Sequence, residues 1–463
     1  MSTVAFAGLP AGCFPSLLDA GPRHGGIGCM AAWPALHRTV RWNNEADARS
    51  ALQGLLGTLE ASLAPTAGAA GSLAVLALSY EAGWLLQPRL PGNWARGLQP
   101  GAVLADLAVY PGWAEFDHAR QRLHLRGTTG LFQRPMPEPA SAHPLAALRP
   151  GPWRAAFGIA EYTRAVERTR EYIAAGDVYQ LNLVNRLECA VTGHPGSLYR
   201  SALRHAPAPY MALLRRPGLD LVSLSPECFL RRRGDTLRAA PIKGTAARHA
   251  DPAADARSAR ALTLDPKNCA ENVMITDLFR NDLGRIARTG TVHVPELLAV
   301  RSFPGVHHLE SVVEAQPRAG VTIAEILAAT FPSGSITGAP KLRAMELIAE
   351  LEPAPRGFSM GSIGVFRARD EWEMSVAIRT LEIRDGRASF PVGGAITWDS
   401  TPMDEWRECG LKRRALERAL EGQGDATREP VRVKADELPW PADAALQADA
   451  ALQPGASLQA ATP

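Results

Sequence analysis

Residues 161–189 read EYTRAVERTREYIAAGDVYQLNLVNRLEC, and they carry the two periodicities that decide the fold class. In the first half, Tyr162, Val166, Thr169, Tyr172 and Ile173 recur near helical spacing, which sets them on one side of a 3.6-residue turn. Gly176 follows where a helix C-cap glycine belongs, because the left-handed conformation there carries no side-chain penalty for glycine. In the second half Val178, Gln180, Asn182 and Val184 alternate with Tyr179, Leu181, Leu183 and Asn185, the two-residue period of a half-buried strand. Helical and strand-like segments alternate in this way to about residue 420, so the expected class is α+β with a large sheet.

Upstream, residues 1–145 mix apolar segments with Pro and Gly. SLAVLALSY at 72–80 is strand-like, and its core, Leu73 to Leu78, is the longest apolar run and suits a buried strand. RPMPEPASAHP at 134–144 reads as a connection, dividing an N-terminal region, 1–145, from a catalytic region, 150–420. Downstream, Ala-Leu-Gln recurs at 445–447 and 451–453 among Ala, Pro, Asp and Gly. Residues 421–463 have too little apolar surface to offset chain entropy and are expected to be disordered.

Over 463 residues, 50 Lys plus Arg against 47 Asp plus Glu leave no field to steer nucleic acid. Arg heavily outnumbers Lys, so a lysine in an unusual place merits attention. The six cysteines form no CxxC pair, which reads as reduced thiols in a cytoplasmic protein. The start lacks a signal-peptide pattern and no stretch nears the roughly 20 apolar residues of a membrane span.

Five segments have the makings of a site. In ENVMITDLFRNDLGR, 271–285, Met274, Ile275 and Leu278 follow Glu271 at i+3, i+4 and i+7, so a carboxylate heads an apolar stripe. Such burial is costly unless a cation or donor meets it. Equally, Glu271 is a helix-start acid, with Asp277 and Arg280 as an i,i+3 pair. In DEWRECGLKRRALERAL, 404–420, Glu405 and Glu408 share a face that Leu411, Ala415 and Leu416 continue; that is a second carboxylate at a stripe's head, or an ordinary amphipathic helix. FPSGSITGAPKLRAMELI, 331–348, leads glycines into a helix start at Pro340, a setting for an anion or a tight structural turn. In SVAIRTLEI and PVGGAITWDS, Arg379 shares a strand face with Ser375 and Ala377, and Gly393 and Gly394 mark a close backbone approach. That arginine suits bidentate carboxylate capture or a structural ion pair. In PIKGTAAR, 241–248, Lys243 follows an apolar strand end in a turn-like setting; it is a nucleophile if desolvated and a surface charge otherwise. Glu227, in SPECF, is an acid of raised pKa or a salt-bridged strand end.

The order and wording of these segments are more specific than any one of them. GDVYQLNLVNR, SPE, PIKGT, AENVMITDLFRNDLGR, GVHHLES, FPSGSITGAPKLRAMELI, RGFSMGSIG, IRTLEI, GGAITWDS and EWREC, between residues 176 and 409, together resemble the chorismate-utilising enzymes. The resemblance implies two large packed antiparallel β-sheets with outer helices, built from both parts of the chain. It implies that Glu271 and Glu408, with Glu405 close by, bind magnesium, which grips the ring carboxylate of chorismate near Gly393, Gly394 and Ala395. It implies that Arg379 holds the enolpyruvyl carboxylate, that Glu227 is the general acid, and that His308, Thr245 and Gln180 line the pocket. Lys243, where other branches carry a small residue, resembles the aminodeoxychorismate synthase branch, in which the lysine forms a covalent adduct before ammonia adds. Gln180 stands in the segment where water-adding members have a lysine base. Nothing in the chain resembles a glutaminase motif, so ammonia is expected from solution or from a separate glutamine amidotransferase subunit. The anthranilate synthase branch, feeding tryptophan rather than folate synthesis, is the alternative. GGAITWDS departs from the usual GGGIVADS at Ala395 and Trp398, and the N-terminal third matches only at LSYEAG, 78–83.

Overall fold

The run Leu73–Leu78 is a strand with every residue buried, and the reason lies on its two sides. Leu73, Val75 and Ala77 belong to one apolar cluster with Ala212, Leu214, Leu219 and Leu221 of the opposing sheet. Ala74, Leu76 and Leu78 belong to the other main cluster, with Leu52, Leu55, Leu56 and Leu59 of the Glu45–Ser62 helix. A strand covered on both faces cannot alternate polar with apolar, so it reads as a continuous run. Each such leucine contributes roughly 1.5–3 kcal/mol by leaving water.

The computed structural model describes residues 9–19, 27–64, 71–87, 92–128, 145–303 and 305–424. The Pro-rich connection at 134–144 and the tail beyond 424 lie outside them. Among the described residues there are two sheets, and their pairings are antiparallel. The twelve-stranded sheet runs Gly338–Ala339, Gln180–Thr192, Arg387–Ile396, Thr380–Arg384, Leu219–Ser225, Tyr210–Arg216, Ser16–Asp19, Ile27–Ala31, Gly112–Asp117 and Arg122–Gly127, with two short strands also on Gln180–Thr192. The ten-stranded sheet runs Ile242–Ala247, Val306–Ala315, Thr236–Ala240, Cys228–Arg233, Glu371–Val376, Ser362–Ala368, Leu73–Leu78, Val103–Tyr110 and Leu36–Arg41, with His293–Phe303 beside Val306–Ala315. Strands from residues 16–127 take part in both sheets. The α+β expectation of two packed antiparallel sheets therefore holds.

The opening helix spans Ile159–Ala174, and Gly176 follows it at φ +81°. The strand after it, Gln180–Thr192, is buried through Asn185 and alternates only beyond, because its first half lies between other strands and the Gly334–Ile336 turn. Two outer helices matter most. Pro266–Gly284 starts with an Asp265 cap accepting from Asn268 N and packs on Val306–Ala315. Pro402–Glu421 starts with a Thr401 cap accepting from Asp404 N and packs on Arg387–Ile396. Each has Pro at its first turn, which costs nothing where no N–H partner exists. The first helix is tied at its far end by a buried ion pair, Asp282 to Lys341 Nζ at 2.6 Å, and Lys341 also donates to the Thr330 carbonyl. All six cysteines are free thiols. No helix of the described residues is long and apolar enough to cross a membrane.

Removing one partner of that pair leaves a buried charge alone. Lys341→Met is therefore expected to lower unfolding free energy by about 3–5 kcal/mol, read by denaturant titration, and Lys341→Met with Asp282→Leu should recover most of it.

Candidate functional site

At one place two neighbouring segments of chain cross between the sheets, in opposite directions. Leu219–Ser225 passes through Pro226 and Glu227 into Cys228–Arg233, and Glu371–Val376 passes through residues 377–379 into Thr380–Arg384. The crossings are stitched together: Val376 N donates to Glu227 O at 3.1 Å, Ser225 Oγ to Val376 O at 2.6 Å, and Leu224 N to Arg379 O at 3.0 Å. Sheet packing cannot close over two such crossings, and a cavity of about 560 Å³ lies there. Arg379 stands at the crossing with φ +51°, a left-handed conformation that costs a non-glycine residue about 1–3 kcal/mol. It does not share a continuous strand face with Ser375 and Ala377, as its spacing suggested, because the strand changes sheet between them.

Lys243 reaches the cavity through a bulge. Ile242 pairs with Glu310 and Thr245 with His308, so one residue is extra on the lysine's strand. Gly244 takes up the irregularity at φ +84°, where an added Cβ would sit 3.0 Å from Asn268 and Leu262. A bulge re-aims a side chain, and the lysine lines the cavity, its Nζ donating to Ser335 O at 3.1 Å. Burial lowers the Lys243 pKa, with Glu271 and Glu227 opposing and Lys412 assisting that shift. Glu227 is 3% exposed, and burial raises its pKa to about 7 although the Ser335 hydroxyl and Lys243 pull it down. Its Oε1 is buried without a partner. Ser335 thus meets Lys243 through its carbonyl and Glu227 through its hydroxyl.

Opposite them lie the acids. Glu271 is buried one turn before fully buried Ile275, as the stripe implied, while Asp277 and Arg280 form the exposed pair. Burial raises the Glu271 pKa, and Glu408 adds to that. Burial raises Glu408 too, but Lys412, 2.6 Å from its Oε1, more than offsets this and holds it low. Gly394 lies against both helix-borne acids: an added Cβ would be 2.9 Å from Glu405 Oε2 and 3.4 Å from Glu408 Oε1. Glu405 is 1% exposed, and its Oε1 accepts from Lys267 Nζ at 3.0 Å and Ser400 Oγ at 2.6 Å, leaving Oε2 buried and unpartnered. Leu411 is 55% exposed rather than part of a buried stripe, because it lines the cavity edge. Among the described residues no three His, Cys, Asp or Glu side chains cluster closely enough for a metal. An ion here would draw on Glu271, Glu408 and oxygens from outside the chain, the habit of magnesium.

At the remaining wall, Thr245 Oγ1 is 3.1 Å from His308 Nδ1. Burial pushes the His308 pKa down to about 3, helped by Arg379, and its Nε2 has no partner. Burial lowers the Arg379 pKa to about 10, assisted by Arg418 and opposed by Glu227. A buried neutral imidazole beside a guanidinium favours an anionic ligand.

The cavity is lined by Glu227, Lys243, Thr245, Glu271, His308, Arg379, Gly393, Ala395 and Glu408. Gln180, Gly394 and Glu405 are buried but do not line it. Asn182, Ser335, Lys267 and Lys412 line it and had no role in the reading of the motifs. Lysine scarcity could have found two of them: of five lysines, 243, 267 and 412 line the cavity and 341 lies buried behind the glycine-rich loop. That loop contributes Ser335 and Ile336 to the wall, and its helix start is occupied by the Lys341–Asp282 pair.

Residues 20–418 match a family described as chorismate binding enzyme. The chain is 40% identical over 320 residues to anthranilate synthase component 1 of Streptomyces coelicolor, an alignment covering 68% of this chain and 62% of that protein. It is 38% identical to aminodeoxychorismate synthase component 1 of Bacillus subtilis (60% and 59% covered) and 43% identical to that of Klebsiella aerogenes (55% and 57% covered). The chain thus spans about three fifths of the length of these relatives. Anthranilate synthase component I of Streptococcus pneumoniae superposes with a TM-score of 0.70 at 25% identity, covering 84% of this chain and 92% of that one.

The Ser335 hydroxyl and the Lys243 ammonium both hold the Glu227 pKa below where burial alone would put it. Carbon-13 carboxyl shifts across a pH series should give Glu227 a midpoint near 7. In Ser335→Ala and in Lys243→Met that midpoint should move upward; a downward move would contradict the assigned contacts.

Proposed function

This chain belongs to the family of chorismate binding enzymes, and on that premise we propose that it aminates chorismate to 4-amino-4-deoxychorismate, on the route to 4-aminobenzoate and folate. The observation carrying this reading is the bulge at Lys243, which aims a desolvated amine into the cavity beside a carboxyl of pKa about 7. The similarity to two aminodeoxychorismate synthases supports it.

In this reading the neutral Lys243 amine bonds to ring C2, both ring double bonds move one place (C1=C2 to C1=C6, C5=C6 to C4=C5), and the C4–O bond breaks. Glu227, protonated below about pH 7, gives its proton to the departing hydroxyl, which leaves as water. The new secondary ammonium sheds its extra proton. Ammonia then bonds to C4, both double bonds shift back, and the C2–N bond breaks as the lysine nitrogen regains a proton and the new C4 ammonium loses one. One hard displacement becomes two easier ones. Arg379 holds the enolpyruvyl carboxylate, and the wall of Gly393 and Ala395 lies against the ring carboxylate. Magnesium fits Glu271 and Glu408, whose like charges lie together in a half-buried site, and it would neutralise that carboxylate. Ammonia would be supplied by a glutamine amidotransferase subunit. A second reading, amination with loss of pyruvate to give anthranilate, draws on the longer alignment with the Streptomyces coelicolor enzyme.

Purified protein given chorismate, magnesium and an ammonium salt should form a product that yields 4-aminobenzoate only when a lyase is added. Fluorescent anthranilate with free pyruvate would support the second reading instead. Lys243→Ala should lose ammonia-dependent turnover, and unchanged turnover would remove the lysine from the reaction. Glu271→Gln and Glu408→Gln should each lose the response of activity to added magnesium; a variant that still titrates like the parent protein is not an ion ligand.

A further inference from the structure

Behind the cavity wall sits a guanidinium with no access to the cavity. Arg356 is 2% exposed and donates four side-chain hydrogen bonds. Nε and Nη2 grip the Glu352 carboxylate at 2.8 and 2.6 Å. Nη1 donates to Ile336 O at 2.6 Å and Nη2 to Asn182 O at 2.7 Å. The Tyr80 ring covers the guanidinium, 4.4 Å from its centroid, and Arg356 N donates to Glu81 Oε1 at 2.7 Å. Four of the five N–H donors of a planar fork are thus committed in fixed directions.

What those directions hold is the mounting of the reacting groups. Ile336 ends the Gly334–Ile336 turn, and Asn182 lies on the neighbouring strand, where its N–H donates to Thr337 O at 2.8 Å. The peptide before the Ile336 carbonyl is that of Ser335, whose carbonyl takes the Lys243 amine and whose hydroxyl meets Glu227. Turning the Ile336 carbonyl would therefore turn the acceptor of Lys243. Both Asn182 and Ile336 line the cavity, while Arg356 does not.

We propose that Arg356 is a positioning residue: by clamping the Ile336 and Asn182 carbonyls it fixes Ser335, and through Ser335 it sets where the Lys243 amine and the Glu227 carboxyl stand. This rests on the roles given above to Lys243 and Glu227. Tyr80 and Glu352 hold the clamp from the N-terminal region and from the end of the Lys341–Leu351 helix. Lysine at this position would keep the charge but lose the fork, so it cannot reach both carbonyls and Glu352 at once.

The test is Arg356→Lys, read by steady-state kinetics and by acetylation of the folded protein with N-hydroxysuccinimide acetate. With only five lysines in the chain, peptide masses give the Lys243 to Lys267 labelling ratio directly. The expected result is a kcat lowered about 10- to 100-fold with KM nearly unchanged, since small misplacements of reacting groups cost that much. The labelling ratio should rise severalfold, because the amine is no longer held to a fixed carbonyl. A folded Arg356→Lys protein with parental kcat and labelling ratio overturns the proposal. If that variant does not fold, Tyr80→Leu, which strips the aromatic cover and leaves the four hydrogen bonds, should shift kcat and ratio in the same directions by less; no shift overturns it equally. If the parent protein makes no aminated product, the reading of the reaction fails, and the labelling ratio still decides the clamp.

Discussion

Two neighbouring strands changing sheet side by side is the constraint on which the site depends. At those crossings the backbone cannot satisfy both ladders at once, so Ser225, Val376, Glu227 and Arg379 exchange bonds across the gap. The gap becomes the cavity, and the residues at the two crossings, Glu227 and Arg379, bring a carboxyl and a guanidinium to its wall. Neither could stand there on a continuous strand, where alternate side chains would be committed to one face or the other. The left-handed backbone at Arg379 is the local strain this arrangement carries.

Around that gap the charges are arranged by burial more than by pairing. Glu227 and Glu271 are pushed toward their neutral forms by loss of water, and Lys243 likewise. Glu408 stays ionised because Lys412 stands against it. Acid and amine are thereby drawn toward the same pH range, the condition under which one can give a proton while the other attacks. The basic residues of this chain are nearly all arginine, and the described lysines are gathered at or behind the cavity. An ammonium loses its proton more readily than a guanidinium when buried, which gives that distribution a chemical sense.

Much of this was legible in the letters. The run Leu73–Leu78 reads as a buried strand and is one, and of the two readings open for Glu271 the buried carboxylate at the head of the Ile275 stripe is the one found. What could not be read has a common cause: periodicity counts residues without knowing which sheet they join. SVAIRTLEI counts as one strand, yet it breaks at residues 377–379 and its halves lie in different sheets. Leu411 fits an apolar stripe by spacing, but it borders the cavity. Lys243 looked turn-like where it is bulged, since a bulge is defined by the partner strand. Ser335 was invisible for a different reason: half of its role belongs to its carbonyl, which every residue has. Gln180 and Glu405 carry the chemistry expected of pocket residues, yet they lie buried outside the cavity lining, because a motif gives order along the chain and not depth.

The proposed amination requires the amine of residue 243 to bond to the ring of chorismate. Parent protein held with chorismate and magnesium, without any ammonia source, and quenched rapidly should carry chorismate less one water on the peptide containing Lys243, seen by mass spectrometry. Turnover on later addition of ammonia with no such mass on that peptide, or with the mass on another lysine, would contradict the account.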